Sequence, residues 1–420
     1  MAKRLRVAVI GGGIAGLSAA WALKRDHEVT LFERHAVLGM DAFSIEVPGK
    51  AGSQRVDVPM RVVYEAYYPN VTRLYREAGI ELERLEYSGT FTHLNGPTYF
   101  SYRNLRIGPY ALPMLSGWRA LRPETAPIVA DAVRFFAMVA RDLRTGKAEG
   151  LTLEEYLRAR RFSAVFIDGF LLPTLAGICT CTYAAVRTCP ASVVLDYFAR
   201  GLFNVPVKRV RHGTQDVVTR LSEGVQHVRL GSAVEAVTAA ARSATVRVAG
   251  VDQRFDHVVI AAQANHALRM LQCTPQEREA LASFTYQPST VLMHSDARLA
   301  PPDRRLWGPV NFILAPGQEM PMATIWMNTV HDSFGGEDVF QTWNPVIEPD
   351  PARVFSRVAV ERPVVNDASV RGIAKLEALH AMAGRRIWFA GAYASPGVPL
   401  LESAATSGLA VASRIVGLST

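Results

Sequence analysis

Residues 5–34, LRVAVIGGGIAGLSAAWALKRDHEVTLFER, decide how this chain folds. "LRVAVI" is a short β-rich run, apolar on both faces, as a central parallel strand must be. Gly11, Gly13 and Gly16 then give the spacing G-x-G-x-x-G. In that spacing Gly11 permits a tight turn and Gly13 lets the backbone approach a pyrophosphate. Gly16 allows the following helix to pack closely on the strand. "IAGLSAAWALKR" reads as that helix, and its positive end, at Ile14 and Ala15, faces the phosphates. "HEVTLFE" reads as the second strand. Glu33 ends it, 22 residues after Gly11 (33 − 11), where a carboxylate binds ribose hydroxyls. An acid there, in place of a base, disfavours a 2′-phosphate, so the expected ligand is an adenosine dinucleotide of the NAD or FAD kind.

Working outward, a second junction of the same design stands near the other end of the chain. The apolar run "RIWFAGAY" (386–393) leads into small residues and proline, and then into a helix rich in alanine and serine (401–412). Between the two junctions the chain has room for more than one domain: it is 420 residues long, 49% hydrophobic and 20% charged, which is a globular composition. The net charge is +8, but the arginines are spread singly among acids, and lysine occurs only at 3, 24, 50, 147, 208 and 375. That distribution argues against a nucleic-acid surface. No apolar run reaches the roughly 18 residues of a membrane span, so stable membrane insertion is not expected. A core strand begins by about residue 5, which leaves no room for a signal peptide, and a cytoplasmic protein is expected. Cys179, Cys181, Cys189 and Cys273 lack paired C-x-x-C spacing and a nearby histidine, so no metal site is expected.

Taken together, these segments resemble the FAD-dependent amine oxidase and phytoene desaturase superfamily, and within it a bacterial branch of NAD/FAD-binding oxidoreductases. The likeness runs in order through Gly11–Glu33, residues 55–83, 210–221, 255–271, 286–299 and 324–330, and on to the C-terminal junction. It implies an α/β fold: a Rossmann-like FAD-binding domain (GR2-type) with an inserted α+β substrate domain. The FAD-binding domain is expected to be discontinuous, at 1–85, 206–265 and 381–420. The substrate-binding, or cap, domain would comprise 86–205 and 266–380. FAD is the implied cofactor, with the two junctions holding opposite parts of it. Gly391 and Ala392 would touch it at the strand end, and Glu402 and Ser403 at the opening of the helix. That helix N-terminus would stabilise negative charge at N1 and the C2 carbonyl of the reduced ring.

The chain departs from the family pattern in three places. A G-G-R or G-G-H element is replaced by Gly39-Met40-Asp41. With an aspartate beside a pyrophosphate, either Asp41 turns away or Arg34 supplies the compensating charge. V-D-x-G becomes Val56-Asp57-Val58-Pro59, and Leu401 stands where relatives carry histidine beside the glutamate. The lysine that amine oxidases of this superfamily place near the flavin is also missing, since none lies between 208 and 375.

In the inserted parts, the first reads as helices (126–144, and 152–162 with Thr152 as N-cap), while the second mixes strands with loops. They are rich in aromatics and methionines, among them Phe91, Tyr99, Tyr102, Tyr110, Met114, Trp118, Met293, Trp307, Phe312 and Trp326. Most of these are expected to fill the core. The remainder imply an apolar pocket, and residues 106–118 are a candidate lid if they are not a packed loop. Tyr393 and His212 are the first candidates for catalysis, followed by Tyr64, Tyr67, Tyr68, His93 and His294. The implied activity is oxidation, by preference desaturation, of a largely apolar small molecule by hydride transfer to flavin N5. Oxygen or another electron acceptor would then reoxidise the ring. Redox-neutral isomerisation, hydroxylation and non-catalytic flavin or lipid binding stand as alternatives.

Overall fold

The structure is a computed structural model that describes residues 4–50, 52–107, 110–115, 125–201, 205–331, 334 and 336–418. Its first layer is a five-stranded parallel sheet. The strand order is His227–Arg229, Glu28–Phe32, Arg6–Ile10, His257–Ile260, Ile387–Phe389. Residues 7–10 are buried on both faces, as the continuous apolar run requires. The two faces serve different cores. Val7 and Val9 pack with the helix Ile14–Leu23 and the C-terminal helix Leu401–Gly417. Ala8 and Ile10 pack with a three-stranded antiparallel sheet (Val234–Ala240, Ser243–Val248, Val251–Phe255). The helices Ala264–Met270, Pro275–Ala282 and Asp367–His380 complete that layer.

The second body is an eight-stranded mixed sheet. Its order is Val354–Pro363, Tyr286–His294, Phe340–Trp343, Met322–Trp326, Val310–Leu314, Gly89–His93, Thr98–Ile107, Tyr110–Leu115. Helices between residues 126 and 199 lie beside it, including the expected Ala126–Arg144. A capping box at Thr152, in which Thr152 Oγ1 receives the N–H of Glu155, starts the next helix. The sequence reading gave the first inserted part to helices alone; the structure places three strands ahead of them. The signal was the alternation in "GTFTH" and "TYFSY". Phe91 and Phe100 face one side, while Thr90 and Ser101 pair at 3.1 Å on the other. Trp118 and the side chain of Tyr110 lie outside the described residues. Met114, on the edge strand, is exposed. Among the described residues no helix is long and apolar enough to cross a membrane.

Register separates the two faces of this large sheet. Phe91, Phe312, Ala323, Trp343, Val291 and Val358 lie in one row across it, and the row from Val310 through Ile325 and Gln341 to Met293 shares their face. This face meets the segment 57–60 through Gln341. Its Oε1 accepts the N–H of Met60 at 2.8 Å, and its Nε2 donates to the carbonyl of Asp57 at 3.1 Å. Thr324, Thr342 and His294 occupy the opposite face.

Candidate functional site

The strand ends of the parallel sheet meet at one edge. The N–H of Ala261 bonds to the carbonyl of Ile10, and that of Ala390 to the carbonyl of Ile260, so Gly11, Ala261–Ala262 and Ala390–Gly391 stand side by side. In doubly wound folds this edge is the ligand crevice. Here each glycine of the fingerprint has a separate steric reason. Gly11 has φ +108°, and a Cβ on it would lie 2.7 Å from the carbonyl oxygen of Ala261. A Cβ on Gly16 would lie 1.9 Å from the carbonyl oxygen of Gly11. Gly13 is different: a Cβ there would meet no atom of the protein within 4 Å. The space above it is open.

Gly13 is also the N-cap of the helix Ile14–Leu23, with no side chain capping it and no acid in the first turn. A helix end of this kind presents unpaired N–H groups at Ile14 and Ala15 and the positive end of the macrodipole to that open space. Beside it Glu33 is buried, its carboxylate accepting the N–H groups of Gly12 at 2.8 Å and His35 at 2.9 Å. Gly39 closes the far wall, where a Cβ would come within 3.0 Å of Glu33 Oε2. An adenosine dinucleotide fits this arrangement: phosphates over Gly13, ribose against Glu33. Arg34 is exposed, and its Nε–H faces the ring of His35 at 3.2 Å.

Asp41 has charged and polar partners of its own. It is buried, with one oxygen 2.6 Å from Arg55 Nη2 and the other 2.9 Å from the hydroxyl of Thr214. Thr214 also stands 2.9 Å from Asp57 Oδ1 through both its N–H and its hydroxyl. The sequence offered either an Asp41 turned away or compensation by Arg34; the compensating charge comes instead from Arg55, whose pKa the contact with Asp41 raises. Sequence reasoning missed Arg55 and Thr214, because their partners lie 14 and more than 150 residues away.

At the second junction, the N–H of Gly391 donates to Ser407 Oγ at 2.9 Å, tying the strand end to the C-terminal helix. Glu402 turns to the neighbouring helix Pro69–Glu77. Its carboxylate accepts the N–H groups of Asn70 (3.0 Å) and Val71 (3.1 Å) and the Asn70 carboxamide (2.8 Å). Ser403 Oγ donates to the carbonyl of Val398 at 2.8 Å, and the N–H of Val398 donates to the phenol oxygen of Tyr67 at 2.9 Å. Ala392 and Tyr393 border a cleft of about 340 Å³, with Leu151, Val193, Phe284 and Ile373 among its other walls. The Tyr393 ring packs edge-on to Phe284 at 4.8 Å, and its buried hydroxyl has no hydrogen-bond partner among the described residues. Burial holds its pKa well above the ordinary phenol value.

His212 lies apart from Tyr393. It is exposed, just before the helix Gly213–Ser222, and opens onto a polar cleft of about 560 Å³ shared with Arg55, Asp57, Arg209 and Arg211. His294 is on the outward face of the large sheet. Its Nε2 meets Thr342 Oγ1 at 2.7 Å, its Nδ1 accepts the N–H of Asp296, and burial lowers its pKa to about 4. His93 stacks on Tyr99. Tyr64, Tyr67 and Tyr68 form a buried aromatic cage with Tyr197, the Tyr67 and Tyr197 rings 4.6 Å apart. Burial raises the pKa of all four, so they are neutral phenols at physiological pH. Trp307 and Trp326 pack together with Phe340 on the outward face, away from the cage. Of the lysines that bound the lysine-free stretch, Lys208 pairs with Glu65 at 2.6 Å and Lys375 with Glu279 at 2.8 Å.

Comparison with known proteins agrees with this geometry. The NAD(P)-binding Rossmann-like domain family matches residues 9–78, the segment holding the cradle and Glu33. Among solved structures, a CLA-producing fatty acid isomerase from P. acnes is similar over 99% of both chains, with a TM-score of 0.70 and 15% identity. Wild-type putrescine oxidase bound to putrescine is similar over 99% of both chains, with a TM-score of 0.62 and 14% identity. These likenesses show the fold: a Rossmann-like nucleotide-binding domain joined to a second body built on the large mixed sheet.

Proposed function

We propose that this protein is an FAD-dependent oxidoreductase of the oxidase or desaturase type, acting on a largely apolar small molecule. The observation that carries the reading is the open space over Gly13, bounded by an uncapped helix end and by a carboxylate held by two backbone N–H groups. FAD is favoured over NAD by the second strand–helix junction at the same sheet edge, which gives a long cofactor a second point of support. In this reading 1–85, 206–265 and 381–420 hold the cofactor, and 86–205 with 266–380 shape the substrate space. Gly11, Gly13, Ile14, Ala15, Gly16 and Gly39 receive the phosphates, Glu33 the ribose, and Arg34 the outer rim. Gly391 and Ala392 flank the far end, with Glu402 and Ser403 fixing the backbone around it.

The bound flavin supplies acceptance of hydride at N5. The chain's part is alignment and exclusion of water. The aromatic cage and the apolar row Phe91–Phe312–Trp343–Val291 suit a hydrocarbon substrate, and oxygen or another acceptor would take the electrons away. Similarity to a fatty acid isomerase supports an apolar chain as substrate and keeps redox-neutral isomerisation as the second reading. The absence of lysine from 209–374 favours attack on a C–H bond next to carbon over amine oxidation. The test is anaerobic mixing of the purified protein with unsaturated and saturated acyl compounds and with amines. Loss of the visible flavin band with an acyl compound, and with no amine, is expected. A band that none of them bleaches, together with no isomerised product, would leave a flavin- or lipid-binding protein without turnover.

A further inference from the structure

The face of the large sheet that carries Gln341 also carries an arginine with no acid beside it among the described residues. Val358 lies opposite Val291, and Val291 opposite Trp343, so Val358, Val360 and Arg362 share the face of Trp343. The Arg362 guanidinium carbon is 5.9 Å from the centre of the Trp343 ring. Among the described residues none accepts a hydrogen bond from this guanidinium and no carboxylate pairs with it; the groups close enough to affect its charge are Arg61, Cys179 and Tyr68. Arg61 has, among the described residues, one side-chain hydrogen bond, to the carbonyl of Pro59 at 3.2 Å, and no ion pair, although Asp57 and Asp41 stand close enough to favour its charge. Burial lowers the pKa of both. Arg385, an arginine with a deeply buried side chain, shows the usual solution, since Glu277 stands 2.8 Å from it.

A half-buried guanidinium that holds no acid, over an aromatic ring and beside a second guanidinium, is left to be completed by an anion from outside. Besides Arg61, the groups facing Arg362 are Tyr68, Cys179 and Trp343, and Asp57 and Asp41 offset part of the Arg61 charge, which favours a singly charged group over a phosphate dianion. A guanidinium fork matches a carboxylate through two parallel N–H bonds. We propose that Arg362, supported by Arg61, is an anion subsite of the substrate space. It would take the carboxylate of an apolar acid whose hydrocarbon lies along Trp343, Val358 and Val360. This deepens the flavin-enzyme reading, on which it rests for calling the space a substrate site, and narrows the substrate class to carboxylic acids.

The test is to titrate the purified holoprotein with dodecanoate and with dodecanol, following the flavin spectrum and, independently of flavin, the melting temperature. Dodecanoate is expected to bind at least tenfold more tightly than dodecanol. Arg362→Gln should abolish that preference, leave dodecanol affinity unchanged and keep the ligand-free melting temperature equal or higher. Arg362→Lys should restore part of the preference. Equal affinities in the native protein, or a preference that survives in Arg362→Gln, would overturn the proposal. So would equal loss of both ligands with a lowered melting temperature, the mark of a structural arginine. If Arg362→Gln shifts the flavin reduction potential but not the preference, the charge serves the cofactor and the proposal falls. A protein without flavin that still prefers dodecanoate would retain the subsite and lose the enzyme reading.

Discussion

At Gly13 and Gly16, three residues apart, one added methyl group has opposite consequences. On Gly16 it would sit 1.9 Å from a backbone oxygen, and neither side of that contact can move without displacing the first helix. Gly16→Ala is expected to destabilise the fold by about 2 kcal/mol or more. On Gly13 the added atom meets only open space, so Gly13→Val is expected to leave the melting temperature of the flavin-free protein nearly unchanged and to reduce bound flavin at least tenfold. Thermal melting alongside the ratio of flavin to protein absorbance checks both. A Gly13→Val protein that keeps its full flavin would show that the phosphates lie elsewhere. Glu33 belongs to the same scale. Each of its carboxylate oxygens accepts one backbone N–H, and a carboxamide keeps only one such acceptor, so Glu33→Gln should weaken dinucleotide binding and also loosen the loop at Gly12 or His35.

At the scale of elements, the C-terminal helix does more than close the parallel sheet. Gly408 lets it approach the first helix so closely that a Cβ would lie 2.2 Å from the carbonyl oxygen of Ala15. Glu402, in its first turn, receives the opening N–H groups of the helix Pro69–Glu77. Glu402→Ala should therefore act as the loss of a helix cap, costing about 1–2 kcal/mol. It should also speed amide exchange at Asn70 and Val71 ahead of the rest of the chain; unchanged exchange there would contradict the role. The sequence made the first junction legible because strand, glycines, helix and acid are contiguous and each carries its own reason. It made the second visible as a junction, while leaving hidden that Glu402 and Ser403 bond to neighbouring backbone. Those bonds join residues distant in the chain or depend on how a loop folds back. The strands at 89–115 were missed for a different reason: a threonine–phenylalanine alternation is short, and a helix-rich segment follows it. Arg55 was passed over in the same way, since nothing local marks it as the partner of Asp41.

At the scale of the whole molecule, three buried histidines accept hydrogen bonds in the core while uncharged. His257 accepts the indole N–H of Trp388 at 3.2 Å, His294 the N–H of Asp296 at 3.1 Å, and His380 the N–H of Phe389 at 3.0 Å. Burial is the main cause of their lowered pKa values, to about 4, 4 and 3 respectively. Unfolding returns each to an ordinary value near 6.5, so below that pH the unfolded chain binds protons that the folded one does not. Stability is therefore fully present above about pH 6.5. It is expected to fall as the pH drops toward 4, each histidine contributing about 1.4 kcal/mol per pH unit well inside that window. A melting temperature flat between pH 7 and 5 would contradict this. The same molecule places two strand–helix junctions, far apart in sequence, at one edge of one sheet. The account rests on their holding one cofactor between them. The most direct measurement is the visible spectrum of the purified protein, with chemical identification of what denaturation releases. One equivalent of intact FAD, released without breaking a covalent bond, is the predicted result. A colourless protein that takes up no added FAD, or one that releases NAD alone, would contradict the account.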